Sequence, residues 1–147
     1  MSLFTGEYEC KLDAKGRIAL PSRVKNKMPE VSGNQLIISL GLEPCLVLYP
    51  LVEYKKIYSR IAALNEFNEE YRKLQRNFFR RISEIEIDGA GRILIPRAML
   101  KYANLDKELI LVGMGNRIEI WDMKTYDEHI ISDNTEFSKL AQKHLTE

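Results

Sequence analysis

Apolar residues along this chain follow two different rhythms. Short runs with turn residues at their ends occupy Glu7 to Leu12, Gln35 to Leu40, Cys45 to Tyr49, Glu108 to Val112 and Arg117 to Trp121, and they predict strands. Two more apolar triplets, Ile18-Ala19-Leu20 and Ile93-Leu94-Ile95, run into Pro21 and Pro96. Proline ends a strand and suits the first turn of a helix, so Ser22 to Met28 and Arg97 to Ala103 predict one or two helical turns each. The spacing then changes. Leu51, Tyr54, Ile57, Ile61 and Leu64 recur every three or four residues, and after Asn65 the stripe resumes with Phe67, Tyr71, Leu74 and Phe78. That period predicts two helices between Leu51 and Ile82. The tail is helical again around Tyr126 to Ile130 and at Phe137, Leu140 and Ala141.

The pattern is stated twice. Asp13-Ala14-Lys15-Gly16-Arg17 returns as Asp88-Gly89-Ala90-Gly91-Arg92, about half the chain later. Leu36 answers Leu109, Leu46-Val47-Leu48-Tyr49 answers Ile118-Glu119-Ile120-Trp121, and Tyr54 answers Tyr126. Each unit reads as hairpin, short helix, hairpin. A unit of this size buries too little surface to stand alone, so the two are expected to share one core as a built-in pseudo-dimer. The boundaries that follow are 3–50 for the first unit, 51–82 for a helical connection, 83–122 for the second unit and 123–147 for a helical tail. In both repeats the aspartate occupies the first corner of a turn, where Asp13 and Asp88 accept backbone N–H groups. Gly16 and Gly91 supply the positive φ of the bulge that follows. The expected product is a β-hairpin with cations at its tip.

Charge changes this picture only locally. A net charge of +1 and a pI near 7.7 carry no bulk signature of a nucleic-acid binder. Between Lys11 and Lys27, however, Lys11, Lys15, Arg17, Arg23, Lys25 and Lys27 face a single acid, Asp13. Such a run is ordinarily a solvated face. Here Lys11, Lys15 and Arg17 crowd a narrow protrusion of a size that enters a DNA groove, and arginine can fork onto guanine O6 and N7. The second tip offers Arg92, with Ala90 where the first has Lys15. The helix face of Arg72, Lys73, Arg76 and Arg80 reads as solvated, while Arg81 borders the apolar stripe and is expected in a subunit contact.

Other chemistry finds little support. Glu84, Glu86 and Asp88 alternate on one strand face but lack a fourth oxygen ligand for a hard cation. Cys10, Cys45, His129 and His144 form no metal or catalytic spacing, and Gly89-x-Gly91 and Gly113-x-Gly115 lack the third glycine of a dinucleotide loop. No catalytic residue, metal site, cofactor or small-molecule substrate is expected, and the protein is not expected to be an enzyme. The apolar run from Leu109 to Gly115 is far shorter than a bilayer span, and Met1 to Cys10 has no signal-peptide pattern. No membrane partner is expected, and the reduced cytoplasm suits the lone cysteines.

The doubled Asp-x-x-x-Arg element resembles the MraZ family of bacterial regulators. The resemblance extends through Phe4-Thr5-Gly6, Leu12 to Arg17, Glu43 to Pro50, Asp88 to Pro96 and Glu119-Ile120-Trp121-Asp122. Ala90 stands where that family commonly has glutamine, Ser83 where it has alanine, and Tyr54 and Tyr126 where it often has tryptophan. The resemblance implies an α+β fold: two tandem AbrB/MazE-like swapped-hairpin units forming an intrachain pseudo-dimer with a β-barrel-like core, plus helices between and after them. It also implies a nucleoid-associated DNA-binding transcriptional regulator, a repressor of its own promoter and of neighbouring cell-division and cell-wall genes. Its partners would be short direct repeats in double-stranded promoter DNA and further copies of itself in a ring, with eight subunits favoured. Arg17 is expected to read base edges, Lys15 and Lys11 to neutralise phosphates, and Arg92 to act as a second anchor. A rival expectation, suggested by the near-neutral charge, is a non-enzymatic scaffold or antitoxin-like protein whose tips bind acidic proteins.

Overall fold

In the computed structural model, whose described residues are 3–146, the short apolar runs become strands. They are β1 (Glu7–Lys11), β2 (Arg17–Ala19), β3 (Gln35–Leu40), β4 (Leu46–Pro50), β5 (Ile82–Glu86), β6 (Arg92–Leu94), β7 (Glu108–Gly113) and β8 (Ile118–Asp122). The helices are α1 (Ser22–Lys25), α2 (Leu51–Ala62), α3 (Glu69–Phe79), α4 (Arg97–Tyr102), α5 (Met123–Asp127) and α6 (Asn134–Leu145). Pro21 and Pro96 sit at the N-caps of α1 and α4, one position earlier than a first helical residue. Asn68 caps α3, its side chain accepting the Tyr71 N–H at 3.2 Å.

All pairing is antiparallel. Six strands form one sheet in the order β1-β7-β8-β4-β3-β5, and β2 pairs with β6 in a separate ribbon. The first strand of each unit therefore joins the third strand of the other: β1 lies on β7, and β5 on β3. Here the structure agrees with the swapped-hairpin units that the resemblance implies and corrects the simple hairpin expected from the turn residues. Each turn closes, but its two strands do not pair with each other; one goes to the sheet and the other to the ribbon. Burial explains the exchange. The alternating inner positions Leu36, Ile38, Leu46, Leu48, Leu109, Leu111, Ile118 and Ile120 make one apolar sheet face. The ribbon covers it by turning Ile18 and Ile93, directly opposed in register, into the same core. One unit alone has half a sheet and one ribbon strand, which leaves that face wet.

The outer sheet face is covered locally. Tyr54 of α2 packs edge-on against Tyr49 with ring centroids 5.7 Å apart, and Tyr126 of α5 lies 5.7 Å from Trp121. Trp121 is buried and donates its indole N–H to Glu119 at 2.9 Å. Within the chain the Arg81 guanidinium donates to the Gly41 carbonyl at 2.7 Å and lies 5.9 Å over the Tyr102 ring. The stripe of α3 is only partly covered, with Leu74 exposed, and Phe67, expected on this helix, lies exposed in the turn before it. Among the described residues no helix is long and apolar enough to cross a membrane.

The N-terminal segment is tied to the β7–β8 loop by Phe4 and Gly115, whose backbones exchange hydrogen bonds of 2.7 and 2.8 Å. Gly113 passes directly beneath it. A Cβ at Gly113 would overlap the backbone of Phe4 and Thr5, atoms that cannot swing aside like a flexible side chain. Gly113→Ala should cost about 1 to 3 kcal/mol as an overpacking change, seen as a lower urea midpoint with faster proteolysis of the first residues. An unchanged midpoint would contradict this packing.

Candidate nucleic-acid interface

The two repeated turns are built alike to within a few tenths of an ångström. Asp13 N–H donates to the Arg17 carbonyl at 2.9 Å, and Asp88 N–H to the Arg92 carbonyl at 2.9 Å. Gly16 N–H returns to the Asp13 carbonyl at 3.1 Å and Gly91 N–H to that of Asp88 at 3.0 Å. Both glycines have positive φ, +83° and +77°, where a side chain is strained. The aspartates organise the rest. One carboxylate oxygen of Asp13 accepts the N–H groups of Lys15 and Arg17, each at 2.9 Å, and Asp88 does the same for Ala90 and Arg92.

The second carboxylate oxygen holds the arginine. Arg17 Nε donates to Asp13 Oδ2 at 2.8 Å and Arg92 Nε to Asp88 Oδ2 at 3.1 Å. Among the described residues the terminal nitrogens of both guanidiniums make no hydrogen bond, so each arginine is tethered at Nε and keeps its two-nitrogen fork without a partner. The Arg17 backbone N–H foremost, with its guanidinium and the Lys15 N–H, holds the Asp13 carboxyl below its ordinary 3.8. Asp88 is lowered likewise, chiefly by the Arg92 N–H. Both aspartates stay ionised at neutral pH, and their grip on the arginines weakens only on acidification below the ordinary carboxylate range.

The ribbon brings these arginines together. Arg17 opposes Leu94 and Ala19 opposes Arg92, while the alternate pair, Ile18 and Ile93, faces the core. Arg17 and Arg92 thus share the outward face as diagonal neighbours, with Cα atoms on the order of 7 to 8 Å apart. The sequence placed them on two separate tips; pairing across the pseudo-twofold makes them one surface.

The other candidates fall unevenly around it. Lys15 is exposed on the first turn and borders a groove shared with Glu84, Glu86 and Arg97. Lys11 does not crowd the tip. It lies on the sheet edge opposite Glu108 in the β1–β7 register. Each turn also rests on the helix of the opposite unit. The Gly16 α-carbon faces Leu100, a Cβ there meeting Leu100 Cδ1 at 3.3 Å. The Gly91 α-carbon faces Lys25 instead, with the ammonium nitrogen 3.4 Å from a Cβ position. Sequence reasoning counted Lys25 only as part of a charge run; its alignment with Leu100 across the repeat was the available signal. No group of three or more His, Cys, Asp or Glu suited to a metal ion occurs among the described residues. Burial pushes the Cys10 thiol up to about 11 and Cys45 to about 12, so neither is a ready thiolate.

A family model described as "MraZ protein, putative antitoxin-like" matches the chain twice, over residues 3–77 and 78–146. A protein of Cytophaga hutchinsonii named Transcriptional regulator MraZ is 50% identical over 145 residues, covering 99% of this chain and 96% of its own length. Proteins of the same name from Methylococcus capsulatus and Carboxydothermus hydrogenoformans are 38% identical over 125 residues and 36% over 141. The first match covers 85% of this chain and 82% of the relative, and the second covers 96% of each.

Proposed function

The chain belongs to the MraZ family, and from that premise we propose that it is a sequence-specific DNA-binding transcriptional regulator. The observation that carries this reading is the pair of Asp-tethered arginines on one outward ribbon face. A guanidinium already held at Nε loses little rotamer freedom on binding, and its remaining fork matches guanine O6 and N7 in the major groove. Arg17 and Arg92 read base edges, Lys15 and Lys11 contribute charge toward phosphates, and Asp13, Gly16, Asp88 and Gly91 hold the turns. Residues 3–50 and 83–122 are the two units that build this face. Its relatives' name fits transcription regulation; the family resemblance extends the proposal to repression of its own promoter and of neighbouring cell-division and cell-wall genes, in the cytoplasm at the nucleoid.

One ribbon makes few contacts, so specific affinity calls for several copies acting on repeated sites. Exposed apolar side chains on α6 and just ahead of α3, Phe137 at 63% and Phe67 at 86% exposure, support self-association. A closed ring of identical subunits, eight by the family resemblance, repeats the ribbon in one sense and suits direct repeats. Gel retardation with the DNA upstream of its own gene tests the reading. Expected is a specific shift whose affinity falls linearly with salt on logarithmic axes. No retardation at moderate salt would reject DNA binding and favour the scaffold that grips acidic proteins.

A further inference from the structure

The two turns differ in their own residues, and each has a lysine beside its arginine. The first carries Lys15 and Arg17 against Asp13; the second carries only Arg92 against Asp88, with Ala90 at the position of Lys15. What restores the balance comes from the other half of the molecule. Lys25, on α1, lays its stem across Gly91, with Cδ, Cε and Nζ at 3.7, 3.9 and 3.4 Å from a Cβ position there. Its repeat counterpart on α4 is Leu100, which lies against Gly16. Each turn therefore has one lysine besides its arginine, supplied by the turn itself in one case and by the opposite helix in the other. Among the described residues Lys25 pairs with no carboxylate, and the nearby Asp88 is already occupied by Arg92 and two backbone N–H groups.

We infer that Lys25 is a DNA-contacting residue of the second turn, binding backbone phosphate in the place that Lys15 fills on the first. This rests on the proposed DNA-binding role of the ribbon. The stem lies in van der Waals reach of Gly91, which places the exposed ammonium beside the second turn. Phosphate neutralisation is the chemistry suited to it, because ammonium is a point charge without the planar fork that reads bases.

The test compares salt dependence for the DNA upstream of the gene and for an unrelated duplex. Lys25→Met keeps the stem and removes the charge. It should lower the slope of log affinity against log salt by about 1 per contacting subunit, equally on both DNAs, with the urea midpoint unchanged. Lys15→Met should do the same, and Ala90→Lys in the Lys25→Met background should restore the slope by returning the charge to the turn. An unaltered slope in Lys25→Met beside a reduced one in Lys15→Met would overturn the inference and leave the DNA reading standing. A slope lost in Lys25→Met and not restored by Ala90→Lys would also overturn it, since charge at the turn would then not be what matters. If Lys15→Met and Arg17→Ala also bind as the native protein does, both the inference and the DNA reading fall.

Discussion

Replacing Arg17 and Arg92 together by alanine should reduce binding of the protein's own upstream DNA to the level of unrelated duplex. Each guanidinium fork on a guanine contributes about 1 to 3 kcal/mol of discrimination, and the ribbon presents two. The loss exceeds that of a deleted contact. Arg17→Ala leaves Asp13 ionised at the surface, because two backbone N–H groups still favour its charged form, and an unpaired carboxylate then faces phosphate. Arg17→Ala should accordingly weaken binding more than Lys15→Met. Arg17→Lys separates charge from shape: it keeps a cation but loses both the Nε tether and the fork. Its affinity for unrelated duplex should hold while discrimination drops. Competition gel shifts with the two DNAs measure this, and native discrimination in Arg17→Lys would refute base reading by this residue.

The second large effect concerns what holds the ribbon in place. Ile18 and Ile93 face each other in register and are 1% and 0% exposed. Truncating either to alanine should cost about 2 to 5 kcal/mol, from lost burial and the cavity left between ribbon and sheet. Domains of this kind have roughly 5 to 15 kcal/mol in total, so one such change removes a large share. The double substitution should cost less than the sum, since the two side chains share one space and the second truncation enlarges an existing cavity. Ile18→Val, which removes one methyl group, should cost only about 0.5 to 1.5 kcal/mol. Urea denaturation of the four proteins reads these values. A midpoint for Ile93→Ala within error of the native one would mean that the ribbon is not packed on the core as described.

These two effects separate what is local from what is not. The turns were legible because everything that shapes them lies within five residues: an aspartate to accept N–H groups, a glycine for positive φ and an arginine to begin the next strand. The helices were legible for the same reason. Asn65 and Asn68 interrupt one long stripe, and the period of three and four on either side places α2 and α3.

The exchange of strands was not readable as pairing. Alternation says which face of a strand is buried, but Leu36 and Leu109 alternate in the same way, and nothing in the period says that β1 belongs beside β7 rather than β2. Arg81 shows the same limit on a smaller scale: its place beside an apolar stripe does not point to Gly41 and Tyr102, the partners that folding brings to it.

By itself, then, the sequence determined the two turns, their tethered arginines and the division into repeated halves, since those depend on neighbours along the chain. Tertiary structure decided that the two halves present one surface. It set Arg17 and Arg92 side by side, moved Lys11 to a sheet edge against Glu108 and carried Lys25 to the second turn. The physical reason is burial: neither half can cover its own apolar sheet face, and the exchange that covers both also pairs the strands that carry the two arginines.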